Sequence, residues 1–176
     1  MNLLKGPKPD TMISLFAMSL IDPGRKAPAF SLKDQHGNTH RLSDYEGRLV
    51  ILYFYPKDDT PYCTKEACAF QTHLPTFKPA RATVLGVSGQ GVPSKAKFAA
   101  KYDLTFPLLA DEDYEVAEKY GAWQKKWLYG RTFMGLSRTT YLVGPDGKIL
   151  KRWDKVKVNG HAEDVLKEIE SLKSEV

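Results

Sequence analysis

Leu49-Val50-Ile51-Leu52-Tyr53-Phe54-Tyr55-Pro56-Lys57-Asp58-Asp59-Thr60-Pro61-Tyr62-Cys63-Thr64-Lys65-Glu66-Ala67-Cys68-Ala69-Phe70 decides how the chain is read. The run from Leu49 to Tyr55 is short, β-branched and aromatic, which predicts a buried strand. Pro56 ends it. Thr60-Pro61 then has the form of a helix N-cap followed by proline at the first helical position. Cys63 becomes the third residue of that helix, where unpaired backbone N–H groups and the helix dipole favour an anion. The thiolate is the reactive form of cysteine, so the position points to redox chemistry.

The same helix carries an apolar stripe, Cys63, Ala67, Phe70, Leu74 and Phe77, at spacings of four and three. Thr64, Lys65, Cys68, Gln71 and Thr72 fall on a second, mostly polar side. Five helical positions turn the chain by roughly 140° and leave the Cα atoms of Cys63 and Cys68 about 8–9 Å apart. A disulfide needs less than ~7 Å. The two cysteines therefore cannot bond, or share a metal ion, while the helix is intact.

Outward from this stretch, 176 residues with 42% hydrophobic side chains fit one globular domain without repeats. The expected organisation is an N-terminal extension, residues 1–22, and a domain over residues 23–176. Two cysteines are too few for a secreted disulfide scaffold. A net charge of +5 could signal an anionic partner, but the basic residues are dispersed and no nucleic-acid motif accompanies them. Lys148, Lys151, Arg152, Lys155 and Lys157 are expected to form a solvated face. Lys5 and Lys8 precede an uncharged stretch, Thr11 to Ile21, that is too short to span a bilayer. It is a weak imitation of a signal peptide, with an accessory segment or a start codon assigned too early as the competing readings. A cytoplasmic protein with no membrane partner is expected.

Along the chain, Ala29–Leu32 and Thr39–Leu42 flank a turn at Gln35–Asn38 and predict a hairpin. Pro75 should kink the cysteine helix and Pro79 should stop it. Thr83–Ser88 reads as a second buried strand, and Ser94 as the cap of a helix to Tyr102. Phe106–Ala110 reads as extended and Glu112–Tyr120 as a helix stopped by Gly121. Gly121 to Arg138 has no clean period and reads as a long loop. A second hairpin, Thr139–Val143 with Lys148–Trp153, precedes a closing helix whose stripe is Val165, Leu166, Ile169 and Leu172. Strands alternating with helices imply an α/β fold with a mixed sheet and helices on both faces.

Pro56-x-x-x-Thr60-x-x-Cys63 resembles the peroxiredoxin active-site signature, and Cys68, five residues on, resembles its Q type (bacterioferritin comigratory protein). Gly135-Leu136-Ser137-Arg138-Thr139-Thr140-Tyr141-Leu142-Val143 is similar to the family segment that carries an active-site arginine. The resemblance runs from about Pro23 to the C-terminus; Tyr62 departs from relatives that often have a small residue there. It implies a thioredoxin-like three-layer fold, a central mixed sheet flanked by helices with an N-terminal β-hairpin. It also implies a thiol-dependent peroxidase that reduces hydrogen peroxide and organic hydroperoxides. Cys63 would be peroxidatic and Cys68 resolving, with an intramolecular disulfide recycled by thioredoxin or a similar dithiol. Arg138 would supply charge and planar donors, Thr60 would cap the helix or bond within the site, and Pro56 would form the pocket wall.

The resemblance implies no metal or organic cofactor, and His36, His40, His73 and His161 form no zinc pattern with the cysteines and read as solvated or capping histidines. A monomer is expected. Two rivals remain open. A disulfide oxidoreductase would normally use Cys-x-x-Cys, absent here. A redox sensor or holdase would oxidise once and stall.

Overall fold

The computed structural model describes residues 19–175, so the readings that fall on residues 1–18 lie outside the described part. Nine strands are present among them: β1 (Ser31–Lys33), β2 (Thr39–Arg41), β3 (Leu49–Phe54), β4 (Ala82–Ser88), β5 (Leu108–Ala110), β6 (Trp123–Leu128), β7 (Arg131–Leu136), β8 (Thr139–Val143) and β9 (Ile149–Trp153). The α-helices are α1 (Pro61–Phe77), α2 (Val92–Tyr102), α3 (Glu115–Lys119) and α4 (His161–Ser174). Seven strands form one sheet in the order β2-β1-β5-β4-β3-β8-β9, and β6 pairs only with β7.

The hydrophobic run around Ile51 explains the architecture. β3 lies between β4, its parallel neighbour, and β8, its antiparallel neighbour, with Leu52 opposite both Leu85 and Tyr141. Every side chain from Val50 to Tyr55 is buried. Strand geometry sends alternate residues to opposite faces, and each set joins its own core. Ile51, Tyr53 and Tyr55 join Cys63, Ala67 and Phe70 of α1, Phe98 of α2, and Val165 and Ile169 of α4. Val50, Leu52 and Phe54 join Val116, Ala117, Tyr120 and Ala122 on the other face. The sheet is thus covered on both sides, as a continuous apolar strand requires. Gly86 lets β4 pass over an aromatic ring, since a Cβ there would sit 2.9 Å from Tyr53.

Several elements differ from the sequence reading. α2 begins at Val92 with Gly91 as its N-cap, not at Ser94; the Ser94 hydroxyl is instead turned toward Asp58 Oδ2, 2.8 Å away. α3 is restricted to Glu115–Lys119, because Tyr114 takes a left-handed conformation (φ 59°) just before it. The expected long loop from Gly121 to Arg138 is a β-hairpin with a two-residue turn, Tyr129-Gly130, at φ 48° and 75°. Positive φ at both turn residues is what twists a tight hairpin correctly. α1 retains Pro75 within it and passes into a 3-10 turn, Lys78–Ala80, that contains Pro79. Arg152 is not part of a solvated face. Its guanidinium binds both carboxylate oxygens of Asp154 at 2.6 and 3.0 Å and donates to the Ile21 carbonyl at 3.0 Å, which ties the start of the described chain to β9.

Candidate active site

α1 starts at the C-terminal end of β3, so its first turn opens beside the sheet edge where β8 begins. Cys63 is the third helical residue and is buried. Thr60 is the N-cap by backbone conformation, and its carbonyl accepts from Thr64 N–H at 2.8 Å. Its side chain makes no capping bond, however. The hydroxyl donates to the Lys57 carbonyl at 2.9 Å, which closes the loop back on itself. The side-chain cap expected at Thr60 is therefore absent, and a backbone carbonyl already engages its proton. Pro56, half-buried, stands at the exit of β3 where that loop begins.

The antiparallel register pairs Phe54 with Thr139, and so carries Arg138 to the end of β3. There Arg138 Nη2 donates to Cys63 Sγ at 3.1 Å. Its other terminal nitrogen lies 3.5 Å from Glu66 Oε1. Val156 N–H donates to the Arg138 carbonyl at 3.0 Å and fixes the backbone behind it. The guanidinium thus bridges a sulfur and a carboxyl group through its two terminal nitrogens, as its fork of donors allows. The cleft leading to it has a volume of about 440 Å³ and is lined by Tyr62, Arg138 and residues 156–159.

Glu66 was not picked out from the sequence. Burial pushes its carboxyl up to about 7, and Arg138 opposes that push only in part. A signal was present: Glu66 is three residues after Cys63 and occupies the one charged place on the apolar stripe of α1. A carboxyl group there must find a buried partner or stay protonated.

A second group holds the loop from Pro56 to Thr60. Lys95 is fully buried, and its ammonium lies 3.1 Å from Asp58 Oδ1, 3.1 Å from the Tyr55 hydroxyl and 2.5 Å from Ser88 Oγ. Asp58 N–H donates to Gln90 Oε1 at 3.0 Å. Asp59, at φ 55°, accepts from Lys101 at 2.8 Å and from Tyr102 at 2.7 Å. Both aspartates before the helix are therefore held by α2, the first in the interior and the second at the surface. Lys95 too was legible, since it shares a stripe with Phe98, Ala99 and Tyr102. Breaking a buried pair by removing one partner costs about 3–5 kcal/mol, because the other charge is left uncompensated. Lys95→Met should accordingly lower the melting temperature by about 6–20 °C. Thermal unfolding by circular dichroism checks this, and a shift under about 2 °C would mean that the network contributes little.

Cys68 sits five residues beyond Cys63 on α1, half-buried against the core, and burial raises its thiol pKa. Both cysteines are free, and the helix between them is unbroken. The histidines are scattered. His40 lies between Asp34 and Tyr45 at 2.7 and 2.5 Å, and His73 lies 3.2 Å from Glu163. His161, expected to be solvated or capping, is buried 2.8 Å from the Thr140 hydroxyl, and burial lowers its pKa to about 4.

Comparison with known proteins agrees with this geometry. Residues 23–152 match the AhpC/TSA family. The chain is 41% identical over 152 residues to the peroxiredoxin Bcp of Bacillus subtilis (strain 168), covering 86% of this chain and 97% of that protein. It is 40% identical over 149 residues to the peroxiredoxin Bcp of Escherichia coli (strain K12), covering 85% and 96%. A cysteine mutant of Xylella fastidiosa PrxQ superposes with a TM-score of 0.84 at 36% identity, covering 88% of this chain and 99% of the other. The bacterioferritin comigratory protein of Xanthomonas campestris, studied for alkyl peroxide reduction, superposes with a TM-score of 0.81 at 36% identity, covering 85% and 98%.

Proposed function

The chain belongs to the AhpC/TSA family as a thioredoxin-fold peroxiredoxin of the Bcp (PrxQ) type, a thiol peroxidase, and from that premise we propose that Cys63 is its peroxidatic cysteine and Cys68 its resolving one. The observation that carries the reading is the 3.1 Å contact between Arg138 Nη2 and Cys63 Sγ at the first turn of α1. The Cys63 thiolate attacks the terminal oxygen of a hydroperoxide along the O–O axis. An S–O bond forms as the O–O bond breaks, and the leaving oxygen takes a proton to depart as water or alcohol. Cys63 is left as a sulfenic acid. Arg138 is placed to stabilise the thiolate and the negative charge that develops on the leaving oxygen. The Cys68 thiolate then attacks the Cys63 sulfur, hydroxide leaves and is protonated to water, and an intramolecular disulfide forms. A dithiol reductant of the thioredoxin type reduces it by exchange and is itself oxidised.

Tyr62 lines the cleft at Arg138, Pro56 at the exit of β3 is assigned to the pocket wall by family likeness, and Thr60 keeps the preceding loop in shape. Alkyl hydroperoxides are included among the substrates by likeness to the Xanthomonas protein. A cytoplasmic monomer is part of this proposal, because the two cysteines assigned to the cycle lie on one chain. The test is a thioredoxin-coupled assay of peroxide consumption. Sustained turnover is expected, whereas oxidation that stops after one equivalent would favour a sensor.

Arg138→Met should slow the first oxidation of Cys63 by about 10- to 100-fold, the worth of a lost hydrogen bond to a charged group. Stopped-flow kinetics of the peroxide step measure it directly. An unchanged rate constant would remove Arg138 from the chemistry.

A further inference from the structure

The hairpin β6–β7 leaves the main sheet and presents an apolar tip that peroxide chemistry does not require. Its base is rooted in the fold: Trp123 stacks on Tyr114 at 4.0 Å between ring centroids, and Leu136 is buried. Beyond the base, large apolar side chains face water. Trp127 is 71% exposed, Leu128 54%, Tyr129 91% and Phe133 47%. A two-stranded hairpin with no third strand is marginally stable in water, and apolar residues at its far end add nothing unless something covers them. Tyr129 also occupies a left-handed turn position, where asparagine or aspartate is far more usual.

The arrangement indicates what covers it. Residues paired across an antiparallel ladder point to the same side. Trp127 shares one side with Lys125 and Thr132, while Leu128 shares the other with Arg131. Tyr129 is at the apex. Apolar and cationic groups thus occur on both sides of a narrow projection. A rigid protein partner would cover one side, whereas a lipid interface surrounds the whole tip. Tryptophan and tyrosine favour that interface, and lysine and arginine one or two residues back would meet the headgroups. The charge is of one sign as well. No aspartate or glutamate occurs between Glu118 and Asp146, a segment that contains Lys119, Lys125, Lys126, Arg131 and Arg138.

We propose that the tip formed by Trp127, Leu128 and Tyr129, with Lys125 and Arg131 behind it, docks the protein reversibly on anionic lipid surfaces. No helix among the described residues is long and apolar enough to cross a membrane. The expectation of no membrane partner rested on that kind of length, and an interfacial tip does not need it. β7 runs directly into the segment that holds Arg138, so docking would keep the peroxidase site within about 25 Å of the lipid, the reach of the seven extended steps from Arg131 to Arg138.

The test uses the full chain with vesicles of phosphatidylcholine alone and of phosphatidylcholine with phosphatidylglycerol. Co-sedimentation should show binding to the anionic vesicles, weaker at high salt, with a blue shift of tryptophan emission. The variant Trp127→Ser/Leu128→Ser/Tyr129→Ser should bind at least tenfold more weakly while keeping its turnover of hydrogen peroxide. The second variant, Lys125→Gln/Arg131→Gln, removes no apolar contact and should weaken binding about fivefold per cation. Three results would each overturn the proposal. They are no binding to anionic vesicles, which would return the tip to a protein partner; equal binding to neutral vesicles; and binding that both variants retain in full.

Discussion

Cys63→Ser should abolish peroxide reduction altogether, whereas Cys68→Ser should consume about one equivalent of peroxide and then stop. The asymmetry follows from where the two residues sit on one helix. Cys63 lies in the first turn against the Arg138 guanidinium, at 3.1 Å. A serine hydroxyl there is a far weaker nucleophile toward an O–O bond, because it is not ionised near neutral pH and is less polarisable than sulfur. Cys68 has burial raising its pKa and lies further along the helix, so it is suited to the second step and not to the first. The Cys68→Ser protein should accumulate a sulfenic acid that a nucleophilic trapping reagent labels at Cys63 and nowhere else. Mass spectrometry after a single addition of peroxide reads both variants. Equal loss of first-turnover reactivity in the two would contradict the division of roles.

Much of this site could be read from the chain. The apolar run of β3, the proline after Thr60 and the spacing of Cys63 from Cys68 led to the strand, the helix and the separation of the thiols. Arg138 was different: its place rested on family likeness, because only the pairing of β3 with β8 brings residue 138 to residue 63. Glu66 and Lys95 went unnoticed although each interrupts an apolar stripe, which is the local mark of a buried charge. The β6–β7 hairpin was hidden for a related reason. Period-two alternation arises when one face of a strand is buried, and the outer half of this hairpin buries neither. Its turn gave no warning either, since Tyr129-Gly130 is not the asparagine-glycine pair that usually marks a two-residue turn. Ser94 has the residue type of a cap, yet its hydroxyl donates to Asp58 and α2 begins two residues earlier.

Disulfide formation must dismantle the site that starts the reaction. The Cα atoms of Cys63 and Cys68 are about 8–9 Å apart on an intact helix, beyond the reach of a disulfide. The first turns of α1 therefore have to unwind. That loses the Arg138 contact to sulfur, the backbone hydrogen bonds of those turns, and the burial of Ala67 and Phe70. Removing Phe70 from the core alone costs about 1.5–3 kcal/mol. Glu66 acts the other way. Its carboxyl is held near 7 by burial, and exposure to water lets it ionise freely, which offsets part of the cost. The Lys95–Asp58 network lies before the helix, so it should confine unwinding to residues after Asp59.

Oxidation should unfold this helix locally and reversibly, and hydrogen exchange on the reduced and oxidised protein reads that change residue by residue. Amides from Thr64 to Phe70 should lose protection on oxidation and regain it on reduction, while those of β3 from Leu49 to Phe54 remain protected. In Cys68→Ser held as the sulfenic acid, protection of Thr64 to Phe70 should persist, because no bond then forbids the helix. Full protection from Thr64 to Phe70 in the oxidised wild-type protein would contradict the account.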